Sequence, residues 1–364
     1  MYPEGRYFRF YDVLKKIAYL LIYIVDGLRR KNKNGLTVVT YHRVDGYDKS
    51  TDPLIVSIPT FRKQVEHYKK YYKIISADEL ATVIQGKQVI CAPLCLITFD
   101  DGWRDNYVNA FEILKSYGVP AIIFVSTEHI GNGDYFWFAR IKYILENIEC
   151  TNINELTRDL SNEVRNHLHE IASLQKNQRC RKIEQVIEIM KNMKYRDIEK
   201  VIDALSDRYA TQNVSCERVT LSWDEIREMI NNGISFGTHG KRHAILTLLD
   251  DHELEREIND SKEQLEANIN TDVKYIAYPN GNYDDRVIRF AKKYGYVAAF
   301  TCEQGINMSV NNQFEIKRNY ISEYSSYGLW GRYSELYFEV ELSGVRKKTR
   351  ARILKIASQI RNDN

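Results

Sequence analysis

The sequence predicts an α/β fold organised around a mostly parallel sheet. Two patterns carry that expectation. Apolar runs of strand length near 36–41, 93–99, 121–125, 234–238, 274–278, 297–301 and 315–320 alternate with helical-period stretches near 60–71, 77–85, 105–117, 223–231, 250–268 and 284–294. The polar residues best suited to chemistry cluster where several of these apolar runs stop, which is the edge at which α/β folds assemble their sites.

The first run, Leu36-Thr-Val-Val-Thr-Tyr-His42, ends on an imidazole. The second, Pro93-Leu-Cys-Leu-Ile-Thr-Phe99, is apolar nearly throughout, as suits a parallel strand covered on both faces. It stops at Asp100 and Asp101, and Gly102 makes the turn. Adjacent strand residues point to opposite sides, so one carboxylate can bind a metal while the other faces a water on it. Ala121-Ile-Ile-Phe-Val125 forms the next strand.

Residues 136–217 have a different texture, rich in Lys, Arg, Glu, Asn and Ile and without Pro or Gly. Ile183, Val186, Ile187 and Met190, then Ile198, Val201, Ile202 and Leu205, repeat with helical period. This reads as a helical insertion after Phe136-Trp137-Phe138. It could cover a site mouth, pair with another subunit, or only pack on the main domain.

Beyond it, Ser222-x-x-Glu225 forms a capping box and Asn231-Asn-Gly233 stops the helix. The strand at 234–238 then runs into His239-Gly-Lys-Arg-His243. Two imidazoles at that spacing can converge on one cation from a tight loop or a helical turn. Five other histidines, His67, His129, His167, His169 and His252, read as ordinary core or surface residues.

Taken together, these motifs resemble the polysaccharide deacetylase family (carbohydrate esterase family 4, the NodB homology domain). Thr98-Phe99-Asp100-Asp101-Gly102 matches its first motif and Gly237-Thr238-His239-Gly-Lys-Arg-His243 its second. Tyr278-Pro279-Asn280-Gly281-Asn282-Tyr283-Asp284 resembles the third in its Tyr-Pro-x-Gly form. The resemblance implies a distorted (β/α)7 barrel carrying the helical insertion. It implies that Asp101, His239 and His243 hold a divalent metal, zinc first, with cobalt or nickel as alternatives. Asp100 would be the base, and a backbone N–H in the 279–283 loop would help stabilise the oxyanion. Tyr278, Pro279, Asn280, Gly281 and Tyr283 would contact substrate.

Two departures stand out. The carboxyl-terminal Leu-x-His of many members is missing. Relatives acting on poly-N-acetylglucosamine resemble an arrangement with the acid on the first strand, so His42 is the candidate acid; the alternative is a strand-end His that only bonds a loop. The Arg that usually stands two residues before the third-motif Pro is Ala277 here. Arg318, in Ile316-Lys-Arg-Asn-Tyr320, is the candidate to orient Asp100 from another strand, unless it is a surface charge.

Composition is that of a globular chain: 364 residues, 44% hydrophobic and 28% charged. A net charge of +3 is too small to argue for nucleic acid, and none is expected as a partner. Six cysteines without a tight Cys-x-x-Cys pair suggest a reducing compartment. The apolar run Ile17–Val25 is far shorter than the ~20 residues a spanning helix needs, and no cleavage site follows. A cytoplasmic protein is expected. Lys15, Lys16, Arg29, Arg30, Lys31 and Lys33, with the basic segment from Arg346, leave open a peripheral association with the inner membrane face. The expected division is an amphipathic segment at 1–35, a barrel at 36–135 and 218–322, the insertion at 136–217, and an extension with a basic helix at 323–364. The sequence gives no oligomeric state.

The expected activity is removal of N-acetyl groups from amino sugars in a bacterial surface glycan or its precursor, with an acetylated glycan as substrate. The alternatives are a glycan-binding relative without turnover, or a hydrolase of other non-peptide C–N bonds or O-acetyl esters.

Overall fold

A computed structural model describes residues 34–50, 52–87, 90–131, 136–147, 162–206, 218–328 and 331–343, together with Ile17, Leu20, Leu21 and Ile24. The basic residues of both terminal segments and parts of the insertion lie outside these. No helix among the described residues is long and apolar enough to cross a membrane.

The strands are β1 (Gly35–Tyr41), β2 (Arg43–Val44), β3 (Ile55–Val56), β4 (Lys73–Ile74), β5 (Pro93–Phe99), β6 (Ala121–Val125), β7 (Ile234–Thr238), β8 (Tyr275–Ala277), β9 (Ala298–Phe300), β10 (Ile306–Asn307) and β11 (Asn319–Tyr320). The helices are α1 (Ile58–Tyr71), α2 (Ala77–Ile84), α3 (Glu112–Tyr117), α4 (Trp137–Asn147), α5 (Asn162–Ser173), α6 (Lys176–Met190), α7 (Tyr195–Ser206), α8 (Trp223–Ile230), α9 (Asp251–Glu255), α10 (Ser261–Ile269), α11 (Asp285–Lys293) and α12 (Glu335–Leu342). Two π-helical stretches, Asn106–Phe111 and Arg256–Asp260, lead into α3 and α10.

β1 and β5 pair in parallel over their full length, from Gly35 opposite Pro93 to Tyr41 opposite Phe99. β6, β7, β8 and β9 follow in parallel. β10 and β11 line the other edge of β1. The chain from Gln313 to Ile321 joins the two ends of this curled sheet. Thr301 N–H donates to Ile316 O, Ile316 N–H to Ala299 O, and Ile321 N–H to Thr40 O. The strand expected near 315–320 is thus an Ile316 bridge to β9 followed by the short β11.

Side-chain alternation sorts the sheet into two layers. Leu36, Val38, Leu94, Leu96, Ile122 and Phe124 fill the inside with Ala277 and Phe300. Val39, Tyr41, Ile97, Phe99, Ile123 and Val125 face the surrounding helices. This double burial explains why β1, β5 and β6 are nearly continuous apolar runs.

Helices start where their caps dictate. Ser222 and Glu225 form the expected reciprocal capping box of α8, and Ser76 and Glu79 form another at α2. Helices α4 to α7 pack on one another around a separate core that includes Trp137, Leu168, Ile183, Val186, Met190, Ile198, Val201 and Leu205. Each such aliphatic side chain contributes roughly 1.5–3 kcal/mol when fully buried, enough for the helical period seen in the sequence to be realised as a packed unit.

Candidate metal centre and active-site cleft

The carboxyl ends of β1, β5 and β7 meet over one cleft of about 410 Å³, lined by Thr40, His42, Asp100, Asp101, His239, His243 and Arg318 among others. Asp100 extends the inward-facing series of Leu94 and Leu96 along β5. By the same alternation Asp101 would face away. Its φ of 74° and the 82° of Gly102 swing it back, so both carboxylates reach the cleft. A Cβ at Gly102 would come within 2.8 Å of Val125, so glycine is needed at this turn.

Asp101 is fully buried, and Trp103 Nε1 donates to its Oδ2 at 2.8 Å. Its Oδ1 is buried without a hydrogen-bond partner. That atom lies 3.7 Å from His239 Nε2 and 3.3 Å from His243 Nε2. One donor atom from each of the three residues can be chosen so that all lie within 4.8 Å of one another. The second ring nitrogen of His239, Nδ1, lies 2.8 Å from Ala277 O and donates to it. That fixes the tautomer and leaves the Nε2 lone pair facing Asp101. Burial pushes the His239 imidazole down to about 4, so it is neutral at ordinary pH. An orphaned carboxylate oxygen facing two imidazole nitrogens suits a divalent cation, and the three residues fit one.

The loop carrying the pair is held from behind. His243 has φ 59° and Gly240 φ 73°. Glu257, from the second π-helical stretch and wholly buried, accepts from Lys241 N at 2.8 Å and Arg242 N at 3.0 Å through Oε2. Its Oε1 accepts from Arg242 Nε at 2.7 Å. The Arg242 guanidinium also lies 4.6 Å from the ring of Tyr195 in the insertion, and the His243 ring edges against Phe136 and Phe138.

Arg318 is wholly buried. It donates to Asp100 through Nη1 to Oδ1 at 2.6 Å and Nη2 to Oδ2 at 2.8 Å. Its Nε donates to Thr301 O at 3.0 Å and its Nη1 to Thr40 Oγ1 at 3.2 Å. Burial works to raise the Asp100 carboxyl, but the Arg318 charge and hydrogen bonds, together with the neighbouring imidazoles, outweigh it and hold the group below its ordinary value.

His42 lines the cleft just beyond β1. Its ring meets Tyr320 edge-on at 5.5 Å between centroids, and its Nδ1 is buried without a hydrogen-bond partner. Asn106 Nδ2 donates to His42 O at 2.8 Å from the first π-helical stretch.

Of the five positions expected at substrate, Asn280 alone lines the cleft. Tyr278 is wholly buried in the layer facing the helices; its hydroxyl donates to Phe314 O at 3.1 Å and its ring stacks on Tyr283 at 5.2 Å. Pro279 is buried beside Gly240, and a Cβ at Gly281 would meet Cys302 at 2.5 Å. These residues shape the loop and do not face the cleft. The Gly281 and Asn282 N–H groups bond Tyr278 O and Pro279 O, which removes both as oxyanion donors.

Sequence reasoning missed Trp103, the Ala277 carbonyl, Asn106 and Glu257. Trp103 stands beside the Asp pair and could have been flagged. The others act from elements whose approach depends on the fold.

The polysaccharide deacetylase family model matches residues 90–299. A Staphylococcus epidermidis poly-beta-1,6-N-acetyl-D-glucosamine N-deacetylase is 24% identical over 256 residues, covering 64% of this chain and 82% of the relative. The Streptococcus pyogenes deacetylase PplD, in complex with acetate, has the same fold at TM-score 0.52 and 19% identity, covering 80% of this chain and 94% of PplD. IcaB from Ammonifex degensii superposes at TM-score 0.51 and 16% identity, covering 81% of this chain and 94% of IcaB. The chain belongs to the polysaccharide deacetylase family, hydrolases that cleave the C–N bond of N-acetyl groups.

Proposed function

We propose that this protein is a metal-dependent deacetylase that releases acetate from N-acetylated amino sugars of a bacterial surface glycan or its precursor. The observation that carries this reading is the Asp101 Oδ1 atom, orphaned between two imidazole nitrogens in the cleft where Arg318 keeps Asp100 ionised.

Asp101, His239 and His243 would hold the cation. When bound there, a divalent ion supplies Lewis acidity toward water and toward the acetamide carbonyl, with zinc first and cobalt or nickel as alternatives. Asp100 accepts the proton of the attacking water. Each of its oxygens takes one Arg318 hydrogen bond and keeps a second lone pair for that proton. Arg318 fixes the carboxylate and opposes its protonation. As the new C–O bond forms and the C–N bond breaks, His42 gives a proton to the departing amine. Acetate and a free amino sugar result.

A glycan-binding relative without turnover is the competing reading. It drew support from the missing carboxyl-terminal Leu-x-His and from the missing Arg at position 277, and the guanidinium of Arg318 on Asp100 weakens the second of these. The staphylococcal relative's name makes β-1,6-linked N-acetylglucosamine oligomers the first substrate to try. Acetate release should be seen with metal-loaded wild type and abolished in Asp100→Asn. A folded, metal-loaded wild type that frees no acetate from any acetylated glycan would overturn the proposal.

A further inference from the structure

The insertion supplies one wall of the cleft. Phe138 and Lys142 from α4 and Ile187 from α6 line it opposite the end of β1. On the barrel side, Asp52 and Pro53 line the same cleft from the loop before β3. The two walls touch. Lys142 Nζ donates to Asp52 Oδ2 at 2.9 Å. The loop bearing Asp52 is itself braced: Asp52 Oδ1 accepts from Leu54 N at 2.9 Å, and the Tyr320 hydroxyl, whose ring meets His42, donates to Pro53 O. The pair thus bridges the two walls of the cleft, with both side chains partly exposed.

We propose that the Asp52–Lys142 pair is a clasp that closes one end of the cleft and makes the enzyme specific for short acetylated saccharides or the terminus of a glycan. An enzyme working inside a polymer needs a trough open at both ends, so that the chain can leave in two directions. Here an ion pair joins barrel and insertion across the cleft lining and would block a chain from leaving on that side. The volume of about 410 Å³ is in the range of pockets that enclose a single small ligand, on the scale of a mono- or disaccharide. This inference rests on the deacetylase reading for the identity of the ligand.

The test uses zinc-loaded protein and β-1,6-linked N-acetylglucosamine oligomers of one to six residues. Binding is measured by calorimetry in an Asp100→Asn background, and acetate release is followed separately in the otherwise wild-type chain. With the clasp intact, affinity should level off by about the disaccharide. Lys142→Met, which keeps most of the side chain, and Asp52→Ala should each raise the affinity for the hexamer relative to the monosaccharide about tenfold. The charge swap Asp52→Lys with Lys142→Asp should restore the original profile. A merely structural role would weaken all lengths alike and leave that ratio unmoved, which would overturn the clasp. Affinity climbing steadily to the hexamer with the clasp intact would overturn it too. Length-limited binding without acetate release from any oligomer would sustain the clasp and sink the deacetylase reading. Release that favours the hexamer would do the reverse.

Discussion

Arg318 grips both carboxylate oxygens of Asp100, at 2.6 and 2.8 Å, with neither side chain open to solvent. Removing one partner of such a pair leaves the other charge buried and uncompensated, at a cost of about 3–5 kcal/mol. Arg318→Met should therefore lower unfolding free energy by about that amount. The Asp100→Asn, Arg318→Met double variant should recover a large part of the loss, because no charge is then stranded. Urea unfolding of the four proteins in the cycle reads the coupling. Additive losses would show that the guanidinium is held by Thr301 and Thr40 independently of Asp100.

Asp101 faces both imidazole Nε2 atoms and is the one carboxylate of the proposed ligand set. Asp101→Ala should abolish bound metal as read by elemental analysis, whereas Asp100→Asn should retain it. Equal metal content in the two variants would place the ion elsewhere.

His42 is proposed to act on the leaving group and takes no part in holding the ion. His42→Ala should leave metal content near wild type and lower kcat by about 10²–10⁴, the usual range for a positioned proton donor. Turnover at the wild-type rate would remove it from the acid role.

Glu257 reaches the His239–His243 loop, the proposed metal-binding loop, through the Lys241 and Arg242 backbone. Groups that orient ligands from behind typically contribute 10–100-fold to metal affinity. Glu257→Ala should weaken zinc binding by about that factor, measured by chelator competition. A fall in the Tm of the metal-free protein with unchanged zinc affinity would mark Glu257 as structural only.

Glu225 caps α8 and bonds Arg218 through both oxygens, at 2.6 and 2.7 Å. Burial works against its ionisation, but Arg218, the Ser222 N–H and Arg104 outweigh that and lower its pKa. A carboxyl with a lower pKa folded than unfolded stabilises above its unfolded value, about 4.3. That stabilisation is lost as pH falls through the folded value. The stability gap between wild type and Glu225→Gln should thus be full near pH 7 and shrink below about pH 4. A gap that does not vary with pH would show that the charge plays no part.

Much of this fold was legible because the buried strands are apolar on both faces and stop at polar residues. β1, β5, β6 and β7 lie close to their expected positions, and the two motif loops follow β5 and β7. The last strand was harder to read: at 315–320 the chain makes one bridge to β9 before pairing with β1 as β11. That crossing carries Arg318 to Asp100, 218 positions away in sequence. Local spacing could nominate the guanidinium but could not say which carboxylate it meets. Tyr278 shows the opposite case. It shares the face of Ile276, in the layer toward the helices, whereas Tyr275 and Ala277 point inside. Alternation along β8 accounts for its burial, whereas the motif pattern marked it as a substrate contact.

The two π-helical stretches have a shared consequence. Each adds a residue within a helix in place of a loop, and one added residue turns whatever lies ahead of it by roughly 100° about the helix axis. The apolar stripes of α3 and α10 keep their seat on the sheet, while the widened turns ahead of them aim Asn106 at the His42 carbonyl and Glu257 at the backbone between His239 and His243. Trimming one residue from either helix would leave the barrel's packing pattern readable yet rotate a polar anchor away from the loop it fastens. Length changes in these two helices should therefore be scarcer among active relatives than changes in the loops themselves.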